Sequence, residues 1–167
     1  MKQINILKKI VLTIFIATLI WFLADNVLVV LAIIFEKDVL HLGHFNNNET
    51  PLFLKAITLT KTIAFVVFIY GSSFLIKMLL LKNVTDFLNN KTSIYLKKAG
   101  VLIIFSNIVS FILSFAIFFI DVKYFVYFNS DSRYLSLYMI IFGFFLVIFS
   151  HIINKAKVFK QENDLTI

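Results

Sequence analysis

Four long apolar stretches, separated by polar links, dominate the chain. They run from Ile10 to Phe35, from Ala56 to Leu81 (clearest from Thr62), from Ala99 to Ile120 and from Tyr134 to Ile153. A helix crosses a hydrocarbon core of roughly 30 Å with about 20 residues, and all four stretches reach that length. Transmembrane β-strands, about 10 residues of alternating polarity, do not match such unbroken runs. The pattern predicts an all-α polytopic membrane protein, with four transmembrane helices in two antiparallel hairpins forming one domain over residues 1–167.

The links carry their own signals. Glu36 to Thr50 is polar and includes Asn46-Asn47-Asn48. Thr50-Pro51 reads as an N-cap followed by proline at the first helical position, so the second helix is expected to begin near Pro51. In the central link, Val84, Phe87 and Leu88 follow the i, i+3, i+4 spacing of one helix face. Asn89-Asn90 then reads as a turn, with Thr92 or Ser93 as the cap of the third helix. Lys8-Lys9 before an apolar run mimics a signal peptide, but the run is longer than a signal's apolar core and ends in no small-residue site. It reads as an uncleaved first span.

Composition agrees with the pattern. The chain is 60% hydrophobic and 15% charged, against about 25% charged in an ordinary soluble domain, so too little polar surface remains to face water on all sides. With no cysteine, disulfides and thiolate metal sites are excluded. The net charge of +7 is read as a membrane signature rather than as a nucleic-acid footprint, because the cations are unevenly placed. Lys2, Lys8, Lys9, Lys82, Lys91, Lys97, Lys98, Lys155, Lys157 and Lys160 fall on one side of the expected topology. Lys37, Lys55, Lys61, Lys123 and Arg133 fall on the other. The richer side faces the cytoplasm, which puts both termini and the central link there. The expected location is a bacterial inner membrane, with the lipid bilayer itself as the first partner.

Few residues within the spans could carry chemistry. Ser106, Ser110 and Ser114 repeat every four residues in the third stretch, with Asn107 beside them. Small residues at that spacing let helices approach closely, which favours packing over a polar path. The fourth stretch offers Ser136, Gly143 and Ser150 in return. Asp25 is the costliest residue to insert, by roughly 2.5–3.5 kcal/mol at a helix centre. If the first helix ends near Phe35 and the second starts near Pro51, antiparallel neighbours bring Asp25 level with Lys61. An Asp25–Lys61 ion pair is therefore expected. No other acidic residue lies in any span to form a proton relay. Lys77 reads as snorkelling to the head groups and His151 as interfacial. Asp38, His41 and His44, spaced by three, read as a solvated loop rather than a metal site. No metal, cofactor or catalytic motif emerges, and the expectation is a non-enzymatic protein. Its oligomeric state is open.

The chain closes with Lys160-Gln161-Glu162-Asn163-Asp164-Leu165-Thr166-Ile167. In this tail, in length and in hairpin layout it resembles the domain-of-unknown-function 2975 family of small bacterial four-helix membrane proteins. Where that family often has glycine before the tail, this chain has Ala156-Lys157-Val158. Members are commonly encoded beside a small Cro-like helix-turn-helix regulator. The resemblance therefore implies a membrane partner or sensor for a cytoplasmic transcription factor, with no direct nucleic-acid contact and no catalytic residues. Val84, Phe87, Leu88, Glu162, Asp164, Leu165 and Ile167 are the candidate partner-binding residues. A small transporter or channel subunit is the alternative.

Overall fold

The computed structural model describes residues 2–35, 52–80, 90–120 and 132–165. All but Leu80 are helical: α1 spans Lys2–Phe35, α2 Leu52–Leu79, α3 Asn90–Ile120 and α4 Ser132–Leu165. The chain's single proline, Pro51, directly precedes α2, so no proline interrupts any helix. Leu52–Leu79, Lys91–Ala116 and Leu135–Asn163 are long and apolar enough to cross a membrane.

Helices suit such a sequence because each backbone N–H and C=O is satisfied within its own segment, which lipid demands. The hydroxyls obey the same rule. In α2, Thr58, Thr60, Thr62 and Ser72 donate to the carbonyls of Leu54, Ala56, Thr58 and Phe68, one turn earlier. Ser73 donates to Tyr70 O. Each threonine or serine thus hides its proton on its own helix, and the apolar character of the segment survives.

The contacts divide the chain into two units. The first holds Met1–Phe65 and Ile112–Ser130. Within it Leu54 is buried, with Phe53 and Ile57 packed against it, and Ala64 and Ser114 are buried as well. The second unit holds Val66–Phe111 and Asp131–Ile167. Its core gathers Phe74 from α2, Leu96, Ala99 and Ile103 from α3, and Leu146 from α4.

In this second unit, α3 and α4 run antiparallel and touch backbone to backbone. A Cβ built on Gly100 would lie 2.7 Å from Gly143 O, and one built on Gly143 would lie 3.0 Å from Gly100 O. Both are closer than ordinary packing, and a carbonyl on a helix cannot step aside. Glycine costs a helix interior about 1 kcal/mol relative to alanine, so its place here is explained by the approach it permits.

The structure extends and corrects the sequence reading at the helix ends. Asn90 is the first helical residue of α3, not part of a turn, and Thr92 and Ser93 lie inside the first turns rather than capping them. Both are buried, and Ser93 finds its partner on α4 instead of on its own N-terminus. Beyond Ile153, α4 continues to Leu165, about three further turns. Thr50-Pro51, the Asp38, His41 and His44 loop, and Val84, Phe87 and Leu88 lie outside the described residues.

The glycine contact makes a direct prediction. Gly100→Ala and Gly143→Ala should each destabilise the detergent-solubilised protein by about 1–3 kcal/mol, the usual cost of overpacking, despite alanine's better helix propensity. Thermal unfolding with a tryptophan or circular dichroism signal measures it, and unchanged midpoints would show that the two backbones do not meet.

Candidate functional site

Among the described residues, the buried polar side chains are hydroxyls. Thr92, Ser93, Ser106, Ser114, Ser136 and Ser150 are all buried, while large apolar side chains such as Phe144, Phe145, Ile148 and Phe159 are exposed. That inverts the usual soluble arrangement and fits helices surrounded by hydrocarbon.

Ser93 and Ser150 clasp α3 to α4. Ser93 Oγ donates to Ser150 O at 3.1 Å, Ser150 Oγ donates to Ser93 O at 3.0 Å, and the two hydroxyl oxygens lie 3.0 Å apart. Two hydroxyl protons serve three short contacts, so each hydroxyl always has somewhere to donate. Ser93 and Gly100 are seven residues apart, as are Gly143 and Ser150, and the two pairs face each other in antiparallel order. One further step of seven brings Asn107 level with Ser136. A seven-residue repeat of small side chains keeps one narrow face of each helix against the other.

The sequence-predicted residues fall as follows. Ser106 and Ser114 are buried, and Asn107 and Ser110 half-buried. Ser106 Oγ donates to Ile103 O at 3.0 Å, and Asn107 Nδ2 donates to the same carbonyl at 2.8 Å. Asn107 Nδ2 also lies 3.4 Å from Ser106 Oγ. These bonds stay on α3. The hydroxyls of Ser93 and Ser150 bridge α3 and α4, and the four-residue spacing of the serine ridge did not single them out. Their signal was the spacing of seven.

Lys61 is half-buried on α2, whereas the Asp25 side chain lies outside those described. Glu162 is helical and exposed. Asp164 and Leu165 continue α4, with side chains outside those described, and Ile167 lies outside the described residues.

One end of the second unit is rich in lysine. Lys77 on α2, Lys91, Lys97 and Lys98 on α3, and Lys155 and Lys160 on α4 are exposed there, with Lys157 half-buried. Two of them converge on one ring. Lys77 Nζ lies 4.9 Å and Lys98 Nζ 5.7 Å from the centroid of Phe74. That ring is itself held edge-on by Tyr70 at 5.2 Å and by tilted contact with Tyr95 at 6.0 Å.

Compared with protein-family models, curated proteins and solved structures, the chain matches none.

The serine clasp is open to a double-mutant cycle. Ser93→Ala and Ser150→Ala should each cost on the order of 1 kcal/mol, near the upper part of the range for interhelical hydrogen bonds in membranes. Each single change removes one hydroxyl-to-carbonyl bond and the shared contact between the two hydroxyls, so the double variant should lose somewhat less than the sum. Strict additivity in unfolding free energy would rule out the contact between the two hydroxyls, and no loss in either single variant would rule the clasp out.

Proposed function

We propose that the protein is a non-enzymatic, four-span protein of a bacterial inner membrane that holds a cytoplasmic regulator at the membrane surface. In this reading α1 is the fourth span. It is 34 residues long, and Ile10, Ile14, Ile16, Ile20 and Leu23 are exposed along it. At about 1.5 Å per residue it exceeds a hydrocarbon core of roughly 30 Å. The first hairpin joins α1 to α2, the second joins α3 to α4, and the lysine-rich end faces the cytoplasm.

The observation that carries the regulatory reading is the continuation of α4. Past Ile153 it remains helical through Glu162 to Leu165, with Val158 and Phe159 exposed among Lys155, Lys160 and Glu162. An ordered helix with apolar and charged residues exposed beyond the apolar stretch is a docking element in form. The resemblance to the 2975 family supplies the partner class, a helix-turn-helix regulator. Glu162, Asp164, Leu165 and Ile167 would form one contact, and Val84, Phe87 and Leu88 a second. A regulator held there is unavailable to DNA until a signal shifts the balance between bound and free states. The closed backbone contact at Gly100 and Gly143 speaks against a solute path along that seam.

Two outcomes are expected. A reporter fused after Ile167 should read as cytoplasmic and one inserted near Asn47 as external; the reverse would overturn the topology. Deleting Glu162–Ile167 should leave insertion intact while releasing the regulator into the soluble fraction and changing transcription of its targets. Normal insertion with unchanged pull-down partners and transcription would remove the docking role.

A further inference from the structure

We propose that Lys77 and Lys98 together hold a phosphate-bearing anion above Phe74, supplied by the head group of an anionic phospholipid. The site rests on the membrane-spanning reading given above, but not on any regulator.

The two ammonium groups come from different helices and approach the same ring, at 4.9 and 5.7 Å from its centroid. Each is attracted by the ring's electron-rich face. Both carry the same charge, so an anion that reaches both lowers the electrostatic cost of bringing them to one ring. Among the described residues, no carboxylate pairs with either lysine. A phosphate oxygen pair accepts from two ammonium groups at once, with charge-assisted hydrogen bonds.

The platform is ordered. Phe74 is only 7% exposed and belongs to the core formed with Leu96, Ala99, Ile103 and Leu146. Tyr70, Phe74 and Lys77 recur at intervals of four and three on α2, and Tyr95 and Lys98 are three apart on α3. These intervals put each set on one helix face. Both lysine heads remain accessible.

Position selects the source of the phosphate. Lys98 directly precedes the apolar stretch that begins at Ala99, and Lys77 lies within one turn of the end of α2 at Leu79. Both thus stand where hydrocarbon gives way to head groups. A lipid phosphate is confined to that depth, whereas inorganic phosphate must be drawn from water. Basic sites between helices at the cytoplasmic face are suited to such head groups. Lys155 and Lys160 share the charge of this end, but no described ring contact holds them over an aromatic platform.

The test uses the full chain purified in a neutral maltoside detergent and titrated with phosphatidylglycerol, phosphatidylcholine or inorganic phosphate. Thermal unfolding and native mass spectrometry are the readouts. Phosphatidylglycerol should raise the midpoint and remain bound, while the other two leave it unchanged. The double variant Lys77→Gln, Lys98→Gln should bind phosphatidylglycerol about 30-fold more weakly, given the attraction of an anionic surface for each lysine. Lys77→Arg with Lys98→Arg should restore binding, which separates lost charge from lost folding. Lys155→Gln with Lys160→Gln and Asp86→Asn should each leave it unchanged. Equal loss in the Lys155, Lys160 variant would reduce the effect to general charge and overturn the site. Loss on Asp86→Asn would make that carboxylate part of the lysines' environment and overturn an independent phosphate site. An equal shift with inorganic phosphate would overturn the lipid assignment. Failure of the membrane reading would appear separately, as extraction of the unmodified chain from membranes by alkaline carbonate.

Discussion

Two helix backbones in contact set the geometry of the second unit. Lipid offers no hydrophobic gain for joining one apolar helix to another, so association has to come from close packing and polar contact. Gly100 and Gly143 permit the closest packing, since each stands where a side chain would strike the other's carbonyl. The distance they allow is what brings Ser93 and Ser150 within hydrogen-bonding reach, one step of seven residues away. A wider separation would leave those hydroxyls without each other and would open the core around Ile103 and Leu146.

The rest of the polar chemistry follows from the same economy. The hydroxyls of Ser93 and Ser150 bond across the contact, whereas that of Ser106, equally buried, stays on its own helix. Hydroxyls elsewhere turn back onto their own helix, as at Thr60 and Ser72. Neither solution leaves a proton facing hydrocarbon, so serine and threonine are cheap enough to serve as small packing residues. Charge is treated differently. Lysines gather at the end where Ser93 meets Ser150, around the aromatic contacts of Phe74 with Tyr70 and Tyr95. An apolar helix stretch gives way there, over only a few turns, to a mixed rim of aromatic and cationic residues, as at a membrane interface.

The functional proposals occupy different parts of that end. The regulator reading uses the last turns of α4, where Val158, Phe159 and Glu162 are exposed. The lipid reading uses α2 and α3 at Lys77 and Lys98. A protein that docks a cytoplasmic partner needs its docking face held at the membrane surface, and a bound head group beside the α3–α4 seam would fix that end in depth. The two ideas are compatible, and each can fail alone.

The sequence by itself determined the all-helical character and the three long apolar helices within Leu52–Leu79, Lys91–Ala116 and Leu135–Asn163. Hydrophobic length is additive along a chain, so it is legible without any partner. The regular spacing of small residues in the third helix was legible too, and Ser106 and Ser114 are buried. Which small residues meet across the seam was not. Ser93 stood where a cap was expected, and only its pairing with Ser150, 57 positions away, places it between helices. The convergence of Lys77 and Lys98 on Phe74 was hidden likewise, because a local reading sends each lysine separately to the head groups. Register between helices depends on which side chains and backbones fit at the crossing, and that is a property of two surfaces together. Tertiary structure alone decided it.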